Sequence, residues 1–346
     1  MALLLLFPSL TASASFRRSN HTSNHAVILS SSRFWFNYRH AINALSIYNL
    51  VKQNGIPDEN IILMLADEFP INPRNPFKNR MIDGNSRRTS LMDSSTQIDY
   101  RGDDVTVENL RNVLLGKSTA SSASSSSSLI PGSSSSSSRR VLHTDPNSNV
   151  LLYWTGHGGD SFFKFQDVEE ITSTDLKHIL QQMQFHSLLF LADTCQAFTL
   201  GNELVATNDV PNVYMIGSSL KNENSYAHHS DADLGLSVIE RYTHQFMQVI
   251  KQFQQQQQNQ QRGDRRPLSD ISLQQAMVDP FHFNHQGAHV GVTRTAGTKP
   301  LDQVPLSDFF AGTMPLSHGA TTAELLEKPN VERDWTDAFK ASALSS

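Results

Sequence analysis

Short continuous apolar runs, separated by stretches with helical spacing, dominate the first two thirds of the chain. His25-Ala-Val-Ile-Leu-Ser30 reads as a buried strand. Residues 37–53 carry Ala41, Ala44, Leu45, Tyr48 and Val51 on one helical face. Gly55-Ile-Pro57 stops that helix, and Ile61-Ile-Leu-Met-Leu65 reads as the next strand. The alternation resumes with a strand at 150–154, a helix at 173–183, strands at 188–192 and 213–217, and a long helix at 234–252. Runs that are apolar throughout mark strands covered on both faces. Strand–helix–strand order predicts parallel pairing through right-handed crossovers, so the expected fold class is α/β.

Polar tracts interrupt this pattern. The serine-rich segment 118–138 predicts a flexible surface insertion inside one domain, residues 24–252, and not a domain boundary. Pro70-Ile-Asn-Pro-Arg-Asn-Pro76 opens a long irregular loop. Residues 253–346 read as a glutamine tract and a mostly irregular polar tail, of which 300–316 are expected to pack on the domain. At the other end, Met1-Ala-Leu-Leu-Leu-Leu-Phe-Pro8 followed by Ala12-Ser-Ala14 has the form of a signal peptide covering residues 1–14. Asn20-His-Thr22 is a glycosylation sequon, meaningful if the chain enters the secretory route. No stretch reaches the roughly 18 apolar residues of a membrane span, so none is expected.

The chain has 346 residues and a formal net charge of −5, which offers no strong field for nucleic acid. It has one cysteine, Cys195, so no internal disulfide can form. In an oxidising compartment an unpaired cysteine calls for another explanation, and a reactive thiol is one.

Parallel sheets gather functional groups just past the carboxyl ends of their strands. Two strands here deliver reactive residues there, in Thr155-Gly-His-Gly-Gly159 and Asp193-Thr-Cys-Gln196. His157 and Cys195 stand 38 positions apart, enough for one crossover helix (195 − 157). Alone, Cys195 reads as a small buried hydrophobe and His157 as a loop residue. Together at matching strand ends they predict nucleophilic catalysis, His157 taking the thiol proton or holding the thiolate as an ion pair. The N–H groups of Gly158 and Cys195 are the candidate oxyanion donors, each worth about 3–4 kcal/mol of barrier. A metal centre wants at least three close ligands. His228-His229 offers two adjacent in a loop, which seldom share an ion, so no metal is assigned there.

These strand-end motifs resemble the caspase and legumain clan of cysteine peptidases. The chain is most similar there to the GPI-anchor transamidase catalytic subunits, across residues 24–115 and 148–250. The blocks that carry this are Ser32-Arg-Phe-Trp-Phe-Asn-Tyr-Arg-His40, Met64-Leu-Ala-Asp67, Asn72-Pro-Arg-Asn-Pro76, Val105-Thr-Val-Glu-Asn109, Phe163-Lys-Phe-Gln-Asp167 and the two strand ends above. The resemblance implies an α/β/α sandwich with a mostly parallel sheet. It implies a cysteine acyl-enzyme that removes the C-terminal attachment signal of a proprotein and passes the new carboxyl end to the ethanolamine amine of a GPI lipid. Asn37 matches the family's third catalytic position and Ser225 a substrate-contacting one. The chemistry implies no cofactor; a structural calcium is implied at Asp58, Ile61, Gln97 and Asp99, with Gln97 where a carboxylate is usual. Implied partners are proprotein substrates, the GPI lipid and further membrane subunits in the endoplasmic reticulum, with the chain in the lumen. Some relatives join a partner subunit through a cysteine near the Asn-Pro-Arg-Asn-Pro block; this chain has none there, which implies noncovalent association. A legumain-like asparaginyl endopeptidase and an inactive scaffold of the same fold are the competing readings.

Overall fold

The computed structural model describes residues 19–85, 88–118, 139–259 and 268–313. The expected leader, the insertion from 119 to 138 and the tail beyond 313 lie outside these.

The apolar runs pair because each hides both faces. The strands are β1 (Ser23–Ser30), β2 (Ile61–Leu65), β3 (Tyr100–Arg101), β4 (Ser148–Thr155), β5 (Gly158–Gly159), β6 (Phe162–Phe165), β7 (Glu169–Thr172), β8 (Ser187–Asp193), β9 (Val213–Gly217), β10 (Ala227–Asp231), β11 (Leu236–Glu240) and β12 (Gly291–Arg294). The helices are α1 (Tyr38–Gln53), α2 (Val107–Leu114), α3 (Ser173–Leu180), α4 (Asn202–Thr207), α5 (Arg241–Asn259), α6 (Leu273–Met277), α7 (Phe283–Gln286) and α8 (Ser307–Phe310). Seven strands form one sheet in the order β12-β9-β8-β4-β1-β2-β3, parallel except for β12. Residues alternate between two cores. Ala26, Ile28, Leu151 and Tyr153 face the side of α1 and α5; Val27, Leu29, Leu152 and Trp154 face the side of α2 and α3. The result is the expected α/β/α sandwich.

Two stretches differ from the sequence reading. The long helix begins at Arg241, not at 234. Gly235, at φ +69°, closes a turn whose N–H bonds the Asp231 carbonyl at 2.8 Å, so Leu236–Glu240 folds back on Ala227–Asp231 as a hairpin. The packed unit also continues past 252. β12 pairs antiparallel with β9, and Leu306, Phe309 and Phe310 are buried against the α1 side of the sheet. A four-residue edge strand is too short to register as a period, yet it covers an otherwise open sheet edge.

The chain order sets where a site can form. From β1 it runs outward to β2 and β3, then returns to β4 on the other side of β1. That reversal opens a crevice at the carboxyl ends of β1 and β4.

Candidate active site

Ser30 pairs with Thr155 and Thr155 with Asp193, so β1, β4 and β8 end at one level. His157 and Cys195 each follow two residues beyond that paired row, on neighbouring strands. Asn37 comes from the loop after β1, at the start of α1. The fold thus brings the three expected residues to one rim of the sheet.

Asn37 is fully buried, and its Nδ2 donates to the Arg33 carbonyl at 2.6 Å. That bond turns Oδ1 toward His157 Nε2, 2.9 Å away. Only an Nε2–H satisfies this contact, which leaves Nδ1 as the lone-pair nitrogen of a neutral ring. Burial, then the positive charge of Arg39, hold the His157 pKa below the usual histidine value. Burial pushes the Cys195 thiol up, opposed by a backbone hydrogen bond from Ser225. Both shifts favour a neutral thiol and a neutral imidazole. Of the two routes open from sequence, general-base activation fits this geometry better than a resting ion pair.

The backbone turns sharply after the nucleophile. Gln196 is left-handed, at φ 52°, and its N–H bonds the Glu223 carbonyl at 2.9 Å. A non-glycine residue in this region carries strain that the surrounding bonds must hold. Gly158 opens β5. A Cβ there would sit 2.7 Å from Thr194 Oγ1 and 3.0 Å from the Phe162 carbonyl, so no side chain fits against them. The Ser225 hydroxyl, expected to contact substrate, donates to Asp193 Oδ1 at 3.0 Å.

Sequence reasoning missed the polar layer beneath. Glu240, 3% exposed, accepts from Arg39 Nε at 2.6 Å and lies 3.2 Å from His40 Nε2. The His40 ring stands edge-on to His157, centroids 5.1 Å apart. Asn43 ties the layer together, donating to Thr155 Oγ1 at 2.9 Å and accepting from the Glu240 N–H at 3.0 Å. Asp193, fully buried, accepts from Thr243 at 2.7 Å, and burial followed by Glu240 pushes its pKa up to about 6. Arg39 and His40 adjoin Asn37 in the quoted aromatic block, a usable signal. Glu240 is 201 positions from Arg39, and no local pattern marks it.

The expected calcium ligands do not fit a cation as arranged. Arg140 Nη1 donates to Asp99 Oδ1 at 2.7 Å, and its Nη2 to the Asp58 and Ile61 carbonyls. Lys52 Nζ lies 3.0 Å from Asp58 Oδ1. A guanidinium and an ammonium already bring positive charge to these oxygens. Gln97 adds none of the negative charge that a hard divalent cation needs.

The chain is similar to several known proteins. A protein named GPI-anchor transamidase from Saccharomyces cerevisiae is 39% identical over 297 residues, 85% of this chain and 65% of that protein. A putative GPI-anchor transamidase from Caenorhabditis elegans is 36% identical over 307 residues, 88% and 87% of the two chains. The Homo sapiens GPI-anchor transamidase is 39% identical over 260 residues, 72% and 61%. The chain therefore spans just under two thirds of the yeast and human relatives. Among solved structures, caspase-1 from Spodoptera frugiperda overlays with a TM-score of 0.40 at 9% identity, covering 80% of this chain and 91% of that one. Residues 24–264, which hold Asn37, His157 and Cys195, match the Peptidase C13 family, and the chain belongs to that family.

Proposed function

We propose that the chain is the catalytic subunit of a GPI-anchor transamidase, with Cys195 the nucleophile, His157 the proton carrier and Asn37 its orienting partner. The observation that carries this is the common level of β1, β4 and β8, which sets Asn37, His157 and Cys195 on one rim with the imidazole tautomer fixed. The transamidase names of its relatives supply the acceptor.

His157 Nδ1 takes the thiol proton as Cys195 Sγ attacks the carbonyl carbon of the attachment residue. The Gly158 and Cys195 N–H groups face the oxyanion. Collapse breaks the C–N bond, and His157 returns the proton to the departing amine of the C-terminal signal. The thioester is then attacked by the ethanolamine amine of the GPI lipid. His157 removes the amine proton and delivers it to Sγ as the C–S bond breaks. Water competes at the second step, so a positioned amine and a dry crevice decide the product. Ser225, bound to Asp193 and donating its backbone to Cys195, lines the substrate side.

The setting is the lumen of the endoplasmic reticulum, where such proproteins and the lipid meet. Among the described residues no helix is long and apolar enough to cross a membrane. The chain is held at the membrane through noncovalent contacts with partner subunits, because its one cysteine is the nucleophile. The test is complementation. In cells lacking their own catalytic subunit, the wild-type chain restores GPI-anchored protein at the surface and Cys195→Ala does not. Full rescue by Cys195→Ala would end this reading.

A further inference from the structure

His228 and His229 come from β10, and the fold adds a third histidine. His244 lies in the first turn of α5, which follows directly from β11, the partner of β10. The His228 and His244 rings stack at 4.0 Å, and His229 stands near-perpendicular to both, at 4.8 and 5.9 Å. One ring nitrogen from each lies within 4.8 Å of the other two. His229 is exposed and the other two are half-buried, so the cluster opens to solvent. The loop at Gly84 lies against its outer edge, where an added Cβ would sit 2.6 Å from His229 Nε2.

Three protonated imidazoles at this spacing would repel one another. Burial, then His228 and His229, lower the His244 pKa to about 4, and burial, His229 and Arg241 lower that of His228. A neutral imidazole has one lone-pair nitrogen, so each ring has one donor to offer a metal. We propose that His228, His229 and His244 bind a borderline divalent transition-metal ion, with zinc the best match and a fourth position left open to water or a second ligand. Imidazole nitrogen suits zinc, copper and nickel, whereas calcium and magnesium want oxygen. Tetrahedral zinc at about 2.0–2.1 Å from each nitrogen brings them to roughly 3.4 Å of one another, so the stacked His228 and His244 rings turn toward a common point as they bind. A bound ion would tie the β10 hairpin, which starts two residues past Ser225, to α5. The site is independent of the transamidase reading, since none of the three histidines takes part in that chemistry.

The experiment uses the full chain purified without a polyhistidine tag. Zinc is titrated calorimetrically, and cobalt is added to report tetrahedral coordination by its visible absorption. One ion should bind per chain with a tetrahedral cobalt spectrum. His229→Ala and His244→Asn should each weaken zinc binding at least about tenfold, since loss of even an outer-shell partner costs that much. His244→Asn keeps a polar side chain at α5, and circular dichroism checks that the variants fold. Failure of the wild type to bind zinc, or equal affinity in the H228A/H229A/H244N variant, would overturn the proposal.

Discussion

Asn37 Oδ1 accepts from His157 Nε2 at 2.9 Å, and the Asn37 amide cannot flip without losing its bond to the Arg33 carbonyl. One buried amide therefore decides which imidazole nitrogen carries the proton. Asn37→Ala should lower kcat by about 10–100-fold, the usual cost of removing an orienting partner, with little change in KM. Steady-state kinetics on a peptide ester or amide substrate checks this, and an unchanged kcat would remove Asn37 from the site.

In the proposed mechanism, the lowered His157 pKa sets the acid limb of the reaction. The base works when neutral, and a depressed pKa keeps it neutral below the ordinary value of 6.5. The acid limb of the kcat/KM profile should have its midpoint below pH 6.5. Asn37→Asp places a negative charge beside the ring, favours imidazolium, and should move that limb upward in pH.

The raised Cys195 pKa predicts slow alkylation of the resting enzyme. Iodoacetamide reaction should rise with pH and have its midpoint above 9.0, the thiol's starting value. A flat rate across about pH 5–8 would instead show a resting thiolate paired with imidazolium.

Arg140 stands among the oxygens expected to hold calcium, and Asp99, its partner, has a side chain only 2% exposed. Adding calcium should leave the melting temperature of the wild type unchanged. Arg140→Gln strands a buried carboxylate, which should cost about 3 kcal/mol. Calcium should then recover part of the loss, seen in thermal melts with and without the ion. A wild-type melting temperature that rises with added calcium would restore calcium to the site.

Phe310 is fully buried against the α1 side of the sheet, next to Phe246 at 5.5 Å between centroids. Phe310→Ala should destabilise the chain by about 3–5 kcal/mol, read by chemical denaturation. A negligible effect would show that the segment after 300 is not part of the core.

The sequence by itself determined the central strands and the residues at their ends. A fully buried parallel strand is a local apolar run, and a nucleophile or base two residues past it is readable in the same window. That is why β1, β2, β4, β8 and β9, with His157 and Cys195, stood out from their residues alone. Residues 234–240 read as the start of the long helix because Leu234, Val238 and Tyr242 also fall on a helical face, and only the pairing of β11 with β10 resolves the two. Tertiary structure alone decided the rest. Glu240 meets Arg39 across 201 positions, Arg140 fills oxygens from residues 58, 61 and 99, and His244 joins His228 only because α5 follows the β11 strand. Each joins polar side chains that no local pattern links. A polar side chain carries no period that names its partner; burial forces it to find one, and the fold chooses which.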